Sequence, residues 1–117
     1  MTACPCGGAT LAACCGPFLD GHPAPTAEQV MRSRYSAYAL RNENHLFRTW
    51  HPRTRPKRVT AGDEEWLSLQ VVRTVDGGPD DRTGVVEFVA EHTGGRMHAV
   101  SRFERRGGRW MYTDDQD

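Results

Sequence analysis

Apolar residues recur at helical spacing over residues 27–41, and this periodicity predicts an amphipathic helix. The apolar positions concerned are Val30, Met31, Tyr35 and Tyr38. Thr26, followed three residues later by Gln29, predicts a capping box at the start of this helix. Residues 42–44 (Asn-Glu-Asn) are expected to interrupt the helical pattern. A second short helix is expected over residues 45–50, ending before Pro52, because proline disfavours helical geometry in the residue that precedes it.

From residue 66 onward the pattern changes from helical spacing to strands. Strands are predicted at 66–75, 83–92, 96–104 and 109–113, with glycine-containing turns between them. Such short connections favour an antiparallel meander. Helices followed by a run of strands are typical of an α+β domain in which the helices pack on one face of a curled sheet. Residues 114–117, which are mainly aspartate, are expected to form a solvated tail.

Composition limits the classes of protein to consider. With 117 residues the chain fits one modest domain plus a small appendage, and its 15 basic and 15 acidic residues offer no bulk attraction to nucleic acid or anionic lipid. There is no apolar run long enough for a membrane span. The N-terminus lacks the pattern of a secretory signal, so a reducing cytoplasm is the expected compartment. Clustered cysteines in that compartment bind metal more often than they form disulfides.

All four cysteines, Cys4, Cys6, Cys14 and Cys15, lie within the first fifteen residues. Four thiolates suit a tetrahedral zinc ion, and iron or copper also accept such soft ligands. A disulfide framework and thiols without a ligand are the alternatives, and His22 could replace one sulfur. A site closed by four sulfurs leaves no coordination position for water or substrate. It therefore favours structure or docking over metal catalysis.

The sequence motifs resemble those of a known family. Residues 4–7 (Cys-Pro-Cys-Gly) and 14–18 (Cys-Cys-Gly-Pro-Phe) resemble the SEC-C motif, the zinc knuckle found at the C-terminus of the SecA translocation ATPase. Together with residues 24–28, residues 31–38 (Met-Arg-Ser-Arg-Tyr-Ser-Ala-Tyr) and residues 49–52 (Thr-Trp-His-Pro), they identify the chain as similar to the YchJ family, also called UPF0225. The resemblance covers essentially the whole chain.

This resemblance implies a metal-binding knuckle over residues 1–22 and an NTF2-like domain over residues 26–117. In such a domain a curved antiparallel sheet wraps around helices to form a cone. The resemblance also implies that the four cysteines are the ligands, and that the partner is a ribosome or a chaperone. Two departures stand out: seven residues separate Cys6 from Cys14 where the motif usually has eight, and this loop carries no charge. The missing charge weakens the expectation of ribosome contact, since phosphate contacts need basic residues.

A cone of this kind often holds a pocket, although a fold alone does not show that the pocket is used. The candidate pocket residues are Arg34, Tyr35, Tyr38, Trp50, His51 and Arg102, with His98 also considered. His51 could act as a general base beside a tyrosine in a small isomerase or dehydratase. It could equally cap carbonyl groups at the end of the short helix. The run of basic residues over 53–58 is the best candidate for an RNA or acidic-partner contact, though most such runs are ordinary loops.

The favoured interpretation is a zinc-binding accessory protein without enzymatic activity, in which the knuckle is a structural docking element for a protein partner or supports a chaperone-like role. One alternative is an enzyme or binding protein that takes a small molecule into the cone. A second alternative is copper or iron handling, or redox sensing, by the cysteines. Membrane association and nucleic-acid binding are not expected, and the sequence does not decide the oligomeric state.

Overall fold

The computed structural model describes residues 2–116, which form three helices followed by one antiparallel sheet. The helices are α1 (Gly16–Leu19), α2 (Ala27–Leu40) and α3 (Glu43–Arg48), and the strands are β1 (Trp66–Asp76), β2 (Thr83–His92), β3 (Gly95–Arg106) and β4 (Arg109–Asp115). The strands are hydrogen-bonded in their sequence order. Register shifts within β1 and between β3 and β4 bend the sheet, as bulges do. The predicted α+β fold with a curved meander is confirmed.

Interactions between neighbouring residues set both ends of helix α2. The amide of Gln29 donates to the Thr26 hydroxyl at 3.2 Å, and that hydroxyl donates to the Gln29 side-chain oxygen at 3.0 Å. The helix stops at Arg41, whose φ of 60° takes the chain into the left-handed region. Between these ends, Val30 and Met31 join a buried cluster with apolar residues of β2, β3 and β4. The helix therefore lies against the concave face of the sheet.

Helix α3 lies two residues earlier than the sequence pattern predicts. The side chain of Asn42 accepts a hydrogen bond from the amide of His45 at 3.1 Å, so Asn42 caps the helix instead of interrupting it. At the other end, Trp50 leaves the helix and forms a parallel bridge with Tyr112 of β4. The amide of His51 donates to the Tyr112 carbonyl at 2.8 Å. The segment after α3 thus extends the edge of the sheet.

The prediction of a solvated tail after residue 113 is wrong for Asp114 and Asp115, which belong to β4. The Asp114 carboxylate forms an ion pair with Arg102 at 2.8 Å, and Asp115 accepts a hydrogen bond from the Ser101 hydroxyl at 2.6 Å. Both partners lie on the neighbouring strand, which the local sequence does not reveal. Asp117 lies outside the described residues.

The turn between β1 and β2 approaches the start of α2 very closely. Gly77, with a φ of +80°, accepts a hydrogen bond from the Ala27 amide at 2.9 Å. A Cβ placed on Gly84 would lie 2.6 Å from the Gly77 Cα. Side chains at either glycine would separate this turn from the helix.

The N-terminal segment packs on α2 and shares buried clusters with the main domain. Cys4, Cys6 and Cys15 form one buried cluster with Tyr35 and Ala90. Leu19 of α1 packs against a second cluster that joins α2 to α3. Within residues 2–116, no helix has the length and apolar character needed to cross a bilayer.

Candidate metal centre and cavity

The four cysteine sulfurs converge on one point. All four Sγ atoms lie within 4.8 Å of one another, and all four cysteines are free. The sulfur of Cys6 lies 3.5 Å from those of Cys4 and Cys14 and 3.6 Å from that of Cys15, and the Cys14 and Cys15 sulfurs are 3.9 Å apart. Four sulfurs bound tetrahedrally at about 2.3 Å from one zinc ion are about 3.8 Å apart. The observed spacing therefore suits an ion bound by four thiolates, and none of the four cysteines forms a disulfide.

Backbone hydrogen bonds in the loop bring the two cysteine pairs together. The amide of Gly7 donates to the Cys4 carbonyl at 3.1 Å, which closes a turn around the first pair. Ala3 and Thr10 form an antiparallel bridge, and the Gly16 amide donates to the Leu11 carbonyl at 2.7 Å. A loop of seven residues between Cys6 and Cys14 is thus long enough to close the site.

Gly8 leaves no room for a side chain beside the second cysteine pair. A Cβ on Gly8 would lie 2.5 Å from the sulfur of Cys14. His22, the alternative ligand, is exposed, and its Nδ1 lies 3.0 Å from the Pro17 carbonyl oxygen. It is not part of the cysteine cluster in the described chain.

Hydrogen bonds among the cysteines shift their pKa values in different directions. A hydrogen bond from the Cys15 thiol holds the pKa of Cys6 down to about 4, against an opposing effect of burial. Burial raises the pKa of Cys14 to about 11, and donation to Cys6 raises the pKa of Cys15. These shifts favour the thiolate form at Cys6 and the thiol form at Cys14 and Cys15. A divalent ion would remove the repulsion that prevents further deprotonation.

Two side chains of α2 connect the cluster to the main domain. The Ser36 hydroxyl oxygen lies 3.5 Å from the Cys4 sulfur, and both residues are buried. The Arg32 guanidinium donates to the Cys6 carbonyl at 3.1 Å and to Glu28 at 2.9 Å. These contacts hold the candidate metal centre against helix α2.

A cavity of about 340 Å³ lies between α2 and the concave face of the sheet. Four of the six predicted pocket residues line it: Arg34, Tyr35, Tyr38 and Trp50. Other lining residues were not predicted as pocket residues, among them Trp66, Phe88, His92 and Tyr112. Trp66 and His92 meet only through the pairing of β1 with β2, which the local sequence does not reveal.

His51 and Arg102 do not line this cavity, nor the second one of about 310 Å³. His51 is buried at the edge of the sheet, where its Nδ1 accepts a hydrogen bond from the Arg53 amide at 3.0 Å. Arg102 alternates with the cavity-lining Ser101 along β3 and forms its ion pair with Asp114. His98 also lies outside both cavities and contacts Glu87 at 2.7 Å. The isomerase or dehydratase hypothesis therefore lacks the histidine it relied on.

The basic loop is partly engaged within the protein. The Arg53 guanidinium forms an ion pair with Glu104 at 3.0 Å, and the Arg55 guanidinium lies 3.8 Å from the centroid of the Phe47 ring. These contacts fit an ordinary surface loop better than a dedicated nucleic-acid site.

Comparison with known proteins decides the family. The family model for the middle NTF2-like domain of YchJ matches residues 26–115. The chain belongs to the YchJ (UPF0225) family. A UPF0225 protein of Chromobacterium violaceum is 55% identical, with alignment over 94% of this chain and 89% of the relative. A UPF0225 protein of Streptomyces coelicolor is 46% identical, over 97% of this chain and 94% of the relative.

Two solved structures resemble the YchJ-family chain described here. The solution structure of a SEC-C motif containing protein from Rhodopseudomonas palustris matches with a TM-score of 0.81 and 32% identity, over 97% of this chain and 96% of the other. The crystal structure of a SEC-C motif containing protein from Psychrobacter arcticus matches with a TM-score of 0.71 and 26% identity, over 90% of this chain and 71% of the other. The two matches cover 97% and 90% of this chain, so the likeness extends over most of its length.

Proposed function

We propose that this YchJ-family protein binds one zinc ion through Cys4, Cys6, Cys14 and Cys15, and that the metal-bound knuckle serves as a structural docking element for a protein partner. The observation that carries the proposal is the spacing of 3.5–3.9 Å in four of the six pairs of sulfur atoms, which suits tetrahedral coordination. Zinc would supply charge compensation and a cross-link between the two cysteine pairs. It would not supply a reactive position, because four sulfurs complete its coordination.

The surroundings of the cluster support a structural role. Three of the four cysteines are buried, and the cluster packs on Tyr35 and Ser36 of α2. A segment of this size cannot stabilise itself by apolar burial alone, so metal binding would supply much of its folding free energy. We place the protein in the cytoplasm, where a reducing environment keeps such thiols available for metal.

Metal content is the first test of this proposal. Protein purified without oxygen, chelator or a metal-affinity tag is analysed by native mass spectrometry and elemental analysis. We expect one zinc ion per chain, lost in Cys6→Ser and retained in Ala13→Ser, a matched change at an exposed position of the same loop. Iron or copper in place of zinc would favour metal handling or redox sensing instead. A metal-free chain with a fully folded N-terminal segment would contradict the proposal.

The docking role needs a separate test, because a knuckle that metal stabilises does not by itself imply a protein partner. The loop between Cys6 and Cys14 has no charged residue, so we propose a protein surface rather than ribosomal RNA as its partner. Sedimentation with ribosomes at low and high salt should show no salt-dependent association. For any protein partner, metal-free and metal-bound forms should differ in affinity, and equal affinities would remove the docking role.

A further inference from the structure

The cavity under α2 has the size and lining of a small-ligand site. Its volume of about 340 Å³ is at the lower end of the range for ligand pockets. Apolar side chains form much of its wall: Met31, Phe88, Ala90, Met97 and Phe103. A small molecule with an apolar body fits such a lining. The polar groups that interrupt this lining indicate what else the molecule should carry.

Arg34 places a positive charge in the cavity wall without an acidic partner. Its side chain is only 6% exposed, and its Nη1 donates to the Leu46 carbonyl at 3.0 Å and to the Thr49 hydroxyl at 2.8 Å. Both acceptors are neutral. Within residues 2–116, no carboxylate lies within the 4.0 Å ion-pair distance of this guanidinium. Burying a charge without a directly bonded counter-charge is costly, and burial lowers the pKa of Arg34, although the charge of Asp115 acts in the opposite direction.

Two aromatic faces hold the Arg34 guanidinium in place. Its central carbon lies 5.1 Å from the centroid of the Trp50 ring and 4.7 Å from that of Tyr112. Cation–π contacts offset part of the cost of burial, yet they supply no negative charge. An anion entering the cavity would place a negative charge directly on the guanidinium through charge-assisted hydrogen bonds.

Two indole N–H groups beside the cavity also lack acceptors. The Nε1 atoms of Trp50 and Trp66 are buried and have no hydrogen-bond partner in the described part of the chain, and both residues line the cavity. The third tryptophan behaves differently. Trp110 lies outside this cavity, and its Nε1 donates to the Pro25 carbonyl at 3.1 Å. Buried N–H groups are rarely left unpaired, so the unpaired indole N–H groups of Trp50 and Trp66 indicate where an acceptor from outside the chain would bind.

Two acidic residues of the lining, Glu64 and Asp115, are exposed. Asp115 accepts hydrogen bonds from the Ser101 and Tyr112 hydroxyls at 2.6 and 3.0 Å. Its charge also acts on Arg34, where it raises the pKa against the larger effect of burial. An added anion would be repelled by Asp115 and is favoured only where it contacts the Arg34 guanidinium directly.

We propose that this cavity binds a small organic carboxylate with an apolar body, its carboxylate group facing Arg34 and its oxygens accepting from the indole N–H groups of Trp50 and Trp66. The site is separate from the cysteine cluster, and this inference does not depend on the metal proposed there. It assigns a binding site and no reaction.

Nuclear magnetic resonance gives a test with an internal control, because the chain has three tryptophans. Metal-loaded, ¹⁵N-labelled protein is titrated with butanoate, benzoate and 3-phenylpropanoate, and each is matched by its neutral amide. We expect the indole N–H signals of Trp50 and Trp66 to shift with at least one acid, whereas that of Trp110 stays in place. The matched amide should bind at least about tenfold more weakly, since it lacks the charge that Arg34 recognises.

Variants at Arg34 separate the charge from the fold. Arg34→Met should lose the preference for acid over amide, and Arg34→Lys should retain part of it. Arg58→Met is the control for loss of one arginine, because Arg58 is exposed and lines neither cavity. If Arg34→Met fails to fold, the comparison of acid binding with amide binding in the unmodified protein tests the proposal. Equal binding of acid and amide, shifts confined to Trp110, or no shift with any of the three acids would each overturn the proposal.

Discussion

The hydroxyl oxygen of Ser36 lies 3.5 Å from the sulfur of Cys4, across the boundary between the N-terminal segment and α2. Ser36 is fully buried, so a larger side chain at this position has no space unless the segment moves away. The contact makes the helix one wall of the candidate metal centre.

Replacement of Ser36 by leucine should therefore weaken metal binding. We expect Ser36→Leu to lower the free energy of unfolding by about 1–3 kcal/mol through overpacking. It should also speed the loss of metal to a chelator. Ser36→Ala, which removes only the hydroxyl, should cost about 1 kcal/mol and leave metal exchange nearly unchanged. Urea unfolding and chelator competition measure the two effects, and equal exchange rates in both variants would show that the helix does not support the site.

Gly8 and Gly7 form a matched pair for testing the geometry of the sulfurs. In Gly8→Ala the added Cβ would lie 2.5 Å from the Cys14 sulfur, and the cysteine must rotate away from the other three. In Gly7→Ala the Cβ meets nothing within 4 Å, but the φ of +96° strains the backbone. We expect metal affinity to fall further in Gly8→Ala than in Gly7→Ala, as measured by competition with a chromogenic chelator. The reverse order would mean that backbone shape, rather than sulfur position, limits binding.

Gly84 tests the packing of the β1–β2 turn on the start of α2. The Cβ of Gly84→Ala would lie 2.6 Å from the Cα and 2.9 Å from the amide nitrogen of Gly77, and backbone atoms cannot move aside easily. We expect a loss of about 1–3 kcal/mol in the free energy of unfolding, with the metal content unchanged. Thermal unfolding and elemental analysis of the same sample provide the measurement. A variant as stable as the original chain would show that the turn is not held against the helix.

His45 should make the fold sensitive to mild acid. Burial, with the nearby Arg48 and Arg34 charges, lowers the pKa of His45 to about 4, from 6.5 in an unfolded chain. The Ser33 hydroxyl donates to the Val30 carbonyl, which leaves its oxygen to accept from the Nε2–H of His45 at 2.8 Å, while Nδ1 is buried without a partner. The unfolded chain takes up the proton first, so the stabilising contribution is complete above pH 6.5. It is lost as the pH falls toward 4.

The shift corresponds to about 3 kcal/mol as an upper value. Urea unfolding of the metal-bound protein between pH 7.5 and 5 should show about 2 kcal/mol of this loss, since the remainder falls below pH 5. His45→Gln should show a smaller dependence over the same interval. Identical pH profiles for the two proteins would mean that the acid sensitivity originates elsewhere.

Features determined by neighbouring residues were predictable from the sequence. The Thr26–Gln29 cap, the glycine turns and the alternation of β2 depend on contacts within a few positions, and all three are present. The crowding of four cysteines into a short segment likewise predicted a cluster, and the sulfurs do converge. In each case the interacting residues are close together in the sequence, so the sequence alone predicts the interaction.

Features that depend on distant partners were not predictable. Trp50 leaves α3 because it pairs with Tyr112, and the acidic end of the chain forms a strand because Arg102 and Ser101 receive its carboxylates. The wall of the cavity depends on the register that brings Trp66 opposite His92. The prediction that Asn42 interrupts the helical pattern was wrong, since asparagine interrupts some helices and caps others. Only the hydrogen bond to the His45 amide distinguishes the two cases.

Tyr35 belongs both to the buried cluster around the cysteines and to the wall of the cavity. The N-terminal knuckle and the NTF2-like domain therefore share part of their hydrophobic interior, although a Pro-Ala-Pro linker separates them in the sequence. Shared interior makes unfolding cooperative, so the two parts should melt in one transition rather than two. Proteolysis in the linker would consequently yield fragments that remain associated, and neither would be a free-standing module.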